Sequence, residues 1–160
     1  MSVKYHNFGG VIGWNLQKYF PNLSSDSYLK LQRSTRNKLQ QEYIDYFLST
    51  DEPPMPLVVN LETINRCNST CSFCTANKNA EKRPYKRMED SLFYSIIDQL
   101  ADWGYTGHLT LYGNNEPFLD TRIVEFHKYC REKLPHSFIF LSSNGLLLTV
   151  DKVKEIIPYV

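Results

Sequence analysis

Cys67, Cys71 and Cys74 lie within one short run, Cys67-Asn68-Ser69-Thr70-Cys71-Ser72-Phe73-Cys74, with the spacing Cys-x3-Cys-x2-Cys. Thiolates are soft ligands that suit zinc and iron–sulfur centres. A trio this close can hold a metal cluster and leave one metal position without a protein ligand, whereas closing the cluster takes a fourth cysteine. An open position is what turns a structural metal into a reactive one. The remaining cysteine, Cys130, falls on an apolar helical face with Ile123 and Leu134, where a thiol behaves as a small hydrophobe. A structural zinc site wants four ligands, commonly in two separated pairs. An iron–sulfur cluster with one exchangeable iron fits the spacing better, and a closed iron–sulfur or zinc module for binding or electron transfer is the alternative.

Two other stretches carry polar groups in turn-forming company. Gly113-Asn114-Asn115-Glu116-Pro117 sets a carboxylate in a turn, and Ser142-Ser143-Asn144-Gly145 sets hydroxyls and an amide in another. Asn-Gly is first of all a turn dipeptide, so an ordinary loop is the plain reading of the second. The basic run Lys78, Lys82, Arg83, Lys86 and Arg87 reads as a solvated loop. His127 reads as a core or boundary residue of its helix, and His108 begins a strand without an assigned role. Glu62 and Asn65 lie within or just after the first strand, where the alternation is too short to aim them.

The elements that must position these groups follow from hydropathy and breakers. Ser25 to about Ser49 is helical, with Tyr28, Leu31, Leu39, Tyr43 and Phe47 mostly three, four or eight apart, and Ser24, Ser25 or Asp26 able to cap its start. Before it, Asn7 to Gly13 is turn-rich, and after it Thr50 to Pro56 stops any helix, because each proline removes an amide donor and restricts its predecessor. This marks a boundary, giving an N-terminal helical extension over 1–55 and a core over 56–160. Leu57 to Thr63, His108 to Tyr112 and Phe138 to Leu141 read as strands. Met88 to Trp103 reads as a helix with Leu92, Ile96, Leu100 and Trp103 on one face and Gly104 as its C′ residue. Thr121 to Leu134 is a second core helix with Ile123, His127, Cys130 and Leu134 on one face, and a third begins near Val150. Alternation of strand and helix predicts an α/β fold with a parallel sheet. Reactive groups in such sheets gather at the carboxyl ends of the strands, and all three unusual stretches come directly after a strand.

Composition narrows the classes. The chain has 160 residues, 42% hydrophobic, enough for one ordinary core. A net charge of +1 calls for neither nucleic acid nor an acidic membrane as partner. No apolar run reaches a membrane span, and Met1 to His6 lacks a signal-peptide stretch, so the expectation is a cytoplasmic protein with reduced cysteines. The sequons at Asn22 and Asn68 are then chance matches.

The cysteine run directly after the first strand of a βα repeat, with Phe73 before the third cysteine, resembles the signature of radical S-adenosylmethionine (SAM) enzymes. The resemblance implies that Cys67, Cys71 and Cys74 ligate a [4Fe-4S] cluster whose fourth iron is chelated by SAM. One electron from the cluster would then break the C5′–S bond, and a 5′-deoxyadenosyl radical would abstract hydrogen from a substrate. Gly113-Asn114-Asn115-Glu116-Pro117 resembles the family's Gly-Gly-Glu-type turn, which implies that Gly113, Asn114, Asn115 and Glu116 surround SAM, with Glu116 near its ammonium. Asn115 departs from the usual glycine, and asparagine tolerates positive φ better than other side chains. Ser143 and Asn144 match the turn that ends the family's third strand and implies a reach to ribose or substrate, while Phe73 is expected beside the adenine or packing the loop against water. The lesser reading of the basic run has one of its cations meeting the SAM carboxylate or an acidic substrate.

The resemblance spans about residues 56 to 160 and implies a partial (β/α) barrel holding only the first three units of a (β/α)6 barrel. The last unit stops at Val160, so the expectation is an incomplete core, continued by further chain or completed by a partner. Implied partners are a one-electron donor such as flavodoxin or ferredoxin and an unnamed substrate, with a lean towards a peptide or protein. A degenerate fold that only binds a partner is a further alternative.

Overall fold

In the computed structural model the described residues are 25–50, 55–74 and 83–160. The turn-rich segment at 7–13, the Ser24 cap, and Pro53 and Pro54 lie outside them. The chain divides into two units, Met1–Leu57 and Val58–Val160. The first contains helix α1, Ser25–Ser49, with the limits read from the sequence. Tyr43 is half-buried and Phe47 exposed on it, while the side chains of Tyr28, Leu31 and Leu39 lie outside the description. Among the described residues no helix is long and apolar enough to cross a membrane.

The second unit runs β1 (Val58–Asn60), α2 (Asp90–Asp102), β2 (His108–Thr110), a 3-10 turn (Pro117–Leu119), α3 (Ile123–Lys133), β3 (Phe138–Phe140), α4 (Val150–Ile156) and a closing 3-10 turn (Ile157–Tyr159). The strands form an open sheet in the order β1-β2-β3, all parallel, with Val59 opposite Leu109 and Leu109 opposite Ile139. This is the α/β class expected. Two successive parallel neighbours joined by helices place every strand end of one polarity along one edge.

The core lies between sheet and helices. Leu109 of β2, Leu111 just after it and Ile139 of β3 are buried, as are Phe93, Ile97 and Leu100 of α2, Ile123, Phe126 and Cys130 of α3, and Leu134 just after α3. The face of α2 differs from the one expected. Phe93, Ile97 and Leu100 are buried, whereas Leu92 and Trp103 are exposed and Ile96 is half-exposed. Apolar residues occupy two adjacent stripes of this helix, and the aromatic one wins. Phe93 stacks on Phe126 with ring centroids 3.8 Å apart, burying more surface than Leu92 would. The expected face of α3 is the observed one.

Gly104 ends α2 as read from the sequence. Its φ is +69°, its amide donates to Ala101 O at 2.9 Å, and the Tyr105 amide donates to Leu100 O at 2.9 Å. Those two bonds satisfy the last carbonyls of the helix and turn the chain towards β2.

His127 is fully buried on α3, with Nδ1 2.8 Å from Ile123 O and no partner for Nε2 among the described residues. A carbonyl only accepts, so Nδ1 carries the proton. Burial pushes the pKa of His127 down to about 4. The folded protein therefore resists protonation while the unfolded chain takes up a proton near the ordinary value of about 6.5. Stability from this group is complete above about pH 6.5 and falls as pH drops towards 4, by at most about 1.4 kcal/mol per pH unit. His127→Leu is expected to flatten this stretch of the stability–pH curve in urea unfolding, and parallel curves for the two proteins would contradict the assignment.

Candidate functional site at the carboxyl ends of the strands

The cysteine loop is closed at its base by the chain itself. Met88 N donates to Thr63 O at 2.8 Å and Asn65 N to Lys86 O at 3.1 Å, with Ile64 and Arg87 paired as an antiparallel bridge. Side chains reinforce this neck. Asn65 Nδ2 donates to Pro84 O at 2.8 Å, and Asn65 Oδ1 accepts from Lys86 N at 2.8 Å. Arg66 donates to Asn65 O at 2.9 Å and to Arg83 O at 2.8 Å, with its guanidinium 5.6 Å from the Tyr85 ring centre. Arg83 in turn pairs with Glu62 at 3.2 Å. The basic run is thus not wholly solvated: Arg83 is pinned by a carboxylate and Arg87 lies 3.8 Å from Asp90, while Lys78 and Lys82 lie outside the described residues.

Beyond the neck, Cys67 is exposed and Cys71 and Cys74 half-exposed, and all are free thiols. Cys74 N donates to Cys71 O at 3.1 Å, one turn that holds those two together. Among the described residues no three His, Cys, Asp or Glu side chains are gathered at metal-holding distance. The chain brings the three sulfurs onto one loop without drawing them to a point, which is common where metal binding completes a site. Phe73 is 87% exposed, so its ring does not pack the loop against water.

The turn after β2 is built around two carboxylates. Glu116 is 1% exposed, and its Oε1 accepts from Phe118 N at 3.1 Å and Ser143 Oγ at 2.8 Å, while Oε2 accepts from Asn144 N at 2.8 Å. Its own amide donates to Arg66 O at 2.9 Å. Glu116 therefore bolts the turns after β1, β2 and β3 to one another. The sequence suggested an ammonium as its partner; in the fold its partners are a hydroxyl and two amides of the chain. Glu62 is the more open carboxylate beside the same turn, and its Oε2 accepts from Asn114 N at 2.7 Å. A Cβ at position 113 would stand 3.0 Å from that oxygen, so a side chain there would push the Glu62 carboxylate aside by a few tenths of an ångström. Asn115 Oδ1 accepts from Gly113 N at 2.8 Å, and its buried Nδ2 has no partner among the described residues.

Asn144 completes the assembly. Its Nδ2 donates to Asn68 Oδ1 at 2.8 Å and lies 3.8 Å from Cys67 Sγ, and its Oδ1 accepts from Leu146 N at 2.9 Å. Cys67, Gly113, Asn114, Asn115, Glu116, Ser143 and Asn144 are thus tied into one network along the sheet edge, while Cys71 and Cys74 share a backbone hydrogen bond on the loop and Phe73 stands exposed. Glu62, Asn65, Arg66 and Arg83 belong to it as well. Their signal in the sequence was position only, just past a strand or at the far side of the loop.

A profile of the Radical SAM superfamily matches residues 61–160. The chain belongs to the radical SAM superfamily. S-adenosylmethionine and an iron–sulfur cluster are accordingly its cofactors. The donor set fits them: three free thiols on one loop, and on the turn after β2 a buried amide donor of Asn115 with no partner among the described residues. Among curated proteins this radical SAM chain is similar to the S-adenosyl-L-methionine-dependent 2-deoxy-scyllo-inosamine dehydrogenase of Niallia circulans, 22% identical over 99 residues, covering 62% of this chain and 39% of the relative. Its fold is similar to BtrN crystallised with AdoMet and 2-DOIA, at a TM-score of 0.61 and 21% identity over 66% of this chain and 42% of the other. It is also similar to selenomethionine BtrN in an open conformation, at a TM-score of 0.59 and 20% identity over 69% and 48% of the two chains. The chain spans less than half the length of each of these proteins.

Proposed function

We propose that this chain is the cluster- and SAM-binding part of a radical SAM oxidoreductase, with Cys67, Cys71 and Cys74 as ligands of a [4Fe-4S] cluster. The observation that carries the proposal is the network that ties the three strand-end turns to the cysteine loop through Glu116 and Asn144. When bound, the cluster and SAM supply one-electron cleavage of the sulfonium and a hydrogen-abstracting group. The chain's residues hold and orient that pair. The neck through Asn65, Arg66 and Arg83 fixes where the loop leaves the sheet. Glu62, half-buried beside Gly113 and Asn114 and paired with Arg83, offers a carboxylate for the SAM ammonium, and Glu116 holds the turn beside it. Asn115 Nδ2 offers a donor for the SAM carboxylate. Phe73, free of packing, is available to the adenine, and Ser143 stands at the third turn.

The three βα units are proposed as the first of a partial (β/α)6 barrel, in a cytoplasmic protein supplied with electrons by a flavodoxin- or ferredoxin-like donor. A small hydroxylated substrate is favoured over a peptide, because the curated relative is named for dehydrogenation of such a compound. Anaerobic reconstitution tests the reading. About four irons and four sulfides per chain, with 5′-deoxyadenosine formed from SAM on reduction, are expected. Zinc without sulfide would establish the closed metal module instead, and a cluster without SAM cleavage would establish a chain that binds but does not turn over.

A further inference from the structure

We propose that Asn144 is a positioning residue for the cluster, its side-chain amide acting on the sulfur of Cys67 and raising the reduction potential of the iron–sulfur centre that this sulfur helps to hold. The inference rests on the ligand assignment proposed above. Its basis is the orientation of a single amide. Asn144 Oδ1 is taken by Leu146 N at 2.9 Å, so the Nδ2 end faces the cysteine loop. That nitrogen has two hydrogens. One is directed to Asn68 Oδ1 at 2.8 Å, and the other has Cys67 Sγ 3.8 Å away.

The amide is also held from behind. Asn144 N donates to Glu116 Oε2 at 2.8 Å, Ser143 Oγ donates to Glu116 Oε1 at 2.8 Å, and Gly145 N donates to Ser143 Oγ at 3.0 Å. Glu116 is buried, so the turn carrying Asn144 is anchored in the protein rather than in solvent. A turn built only to enter α4 would need none of these bonds to the cysteine loop.

The physical consequence is electrostatic. A cluster gains negative charge on reduction, and part of it resides on the ligand sulfurs. An N–H dipole aimed at a ligand sulfur stabilises the reduced state more than the oxidised one, and hydrogen bonds to sulfur are among the levers that set cluster potentials. The bond is present in both states, so only its strengthening on reduction counts, and its loss lowers the reduced-to-oxidised ratio at fixed poise by at most about fivefold, the full weight of a net hydrogen bond. At 59 mV per tenfold for a one-electron couple, that is a shift of at most about 40 mV to more negative potential.

The test is a potentiometric titration of the reconstituted protein, with the reduced cluster read by electron paramagnetic resonance and normalised to loaded iron. Asn144→Ala removes the donor. Asn144→Asp keeps the acceptor for Leu146 N and puts a negative oxygen near the sulfur. Asn68→Ala leaves the Asn144 amide in place. The midpoint is expected to fall in the order wild type, Asn144→Ala, Asn144→Asp, with Asn68→Ala close to wild type. Equal midpoints for wild type and Asn144→Asp, or a shift in Asn68→Ala as large as in Asn144→Ala, would overturn the assignment. Failure of the wild-type chain to take up iron and sulfide would instead overturn the ligand reading beneath it, so the two failures are distinct.

Discussion

Cys71→Ala is expected to abolish cluster binding, with iron and sulfide falling to background and formation of 5′-deoxyadenosine lost by more than about 100-fold, the upper end of what removal of even an outer partner costs a metal site. Cys71 is the middle sulfur of the loop, and its carbonyl anchors the turn that brings in Cys74 at 3.1 Å. Under the ligand assignment proposed above, two sulfurs cannot hold a cubane that depends on three, and the remaining cysteine, Cys130, is buried in the core. Cys130→Ala is the control. Burial pushes the Cys130 thiol up to about 12, so it stays protonated inside the core and does not act as a ligand. That variant should keep full iron and lose only packing. Retained iron and colour in Cys71→Ala would contradict the ligand assignment.

Arg122→Ala should be the most damaging change away from the loop. Arg122 is 9% exposed, and its guanidinium donates to Asp120 through Nε at 2.9 Å and Nη2 at 2.8 Å. It also donates to Met88 O at 2.9 Å, pairs with Asp90 at the start of α2, and lies 4.6 Å from the Phe126 ring centre. One side chain thus joins the end of the loop's neck, the start of α2, the turn after β2 and the face of α3. Removing it takes the cation and both guanidinium donors from the Asp120 carboxylate, whose side chain is 1% exposed, and leaves it the backbone amide at position 122 at 3.1 Å. Breaking a buried pair from one side costs about 3–5 kcal/mol, a fall of about 10 °C in Tm for a chain of this size. A loss below about 1 kcal/mol, the range of a surface pair, would contradict this role.

The pH dependence supplies a second readout. Burial drives the Asp120 carboxyl up, but the hydrogen bonds and charge of Arg122 more than reverse this, leaving it below the usual carboxylate range. A depressed carboxyl stabilises the fold fully above its unfolded value of about 3.9, and that stability is lost as pH falls through the folded value. Without the Arg122 side chain, burial is opposed only by the backbone amide at position 122 and the Thr63 hydroxyl, and the carboxyl rises. The variant is therefore expected to be most impaired near neutral pH, with the gap to wild type narrowing as the medium is acidified below about pH 4.

Much of this was legible in residue order. The βα alternation, the limits of α1, the Gly104 stop and the apolar face of α3 all follow from local rules, because helix ends and strand runs depend on nearby residues. The face of α2 was not legible in this way. Leu92 with Ile96 and Phe93 with Ile97 both satisfy helical spacing, and only the presence of Phe126 opposite selects between them. Glu62 and Arg83 were equally opaque, since their pairing joins residues 21 apart in sequence.

By itself, the sequence determined the donor set: three thiols at close spacing, placed just after a strand, with two polar turns in the same position after the next two strands. That is a matter of covalent order, which no packing can alter. Only the tertiary structure decided how the turns are used. Glu116 spends its carboxylate on Ser143, Asn144 and Phe118, Glu62 divides its own between Arg83 and Asn114, and the Asn144 amide is turned towards Cys67. These roles depend on which groups are desolvated together. Parallel strand pairing brings residues 50 positions apart (β1 to β2) and 30 apart (β2 to β3) to one edge, and there a buried carboxylate must be satisfied by whatever donors the neighbouring turns supply.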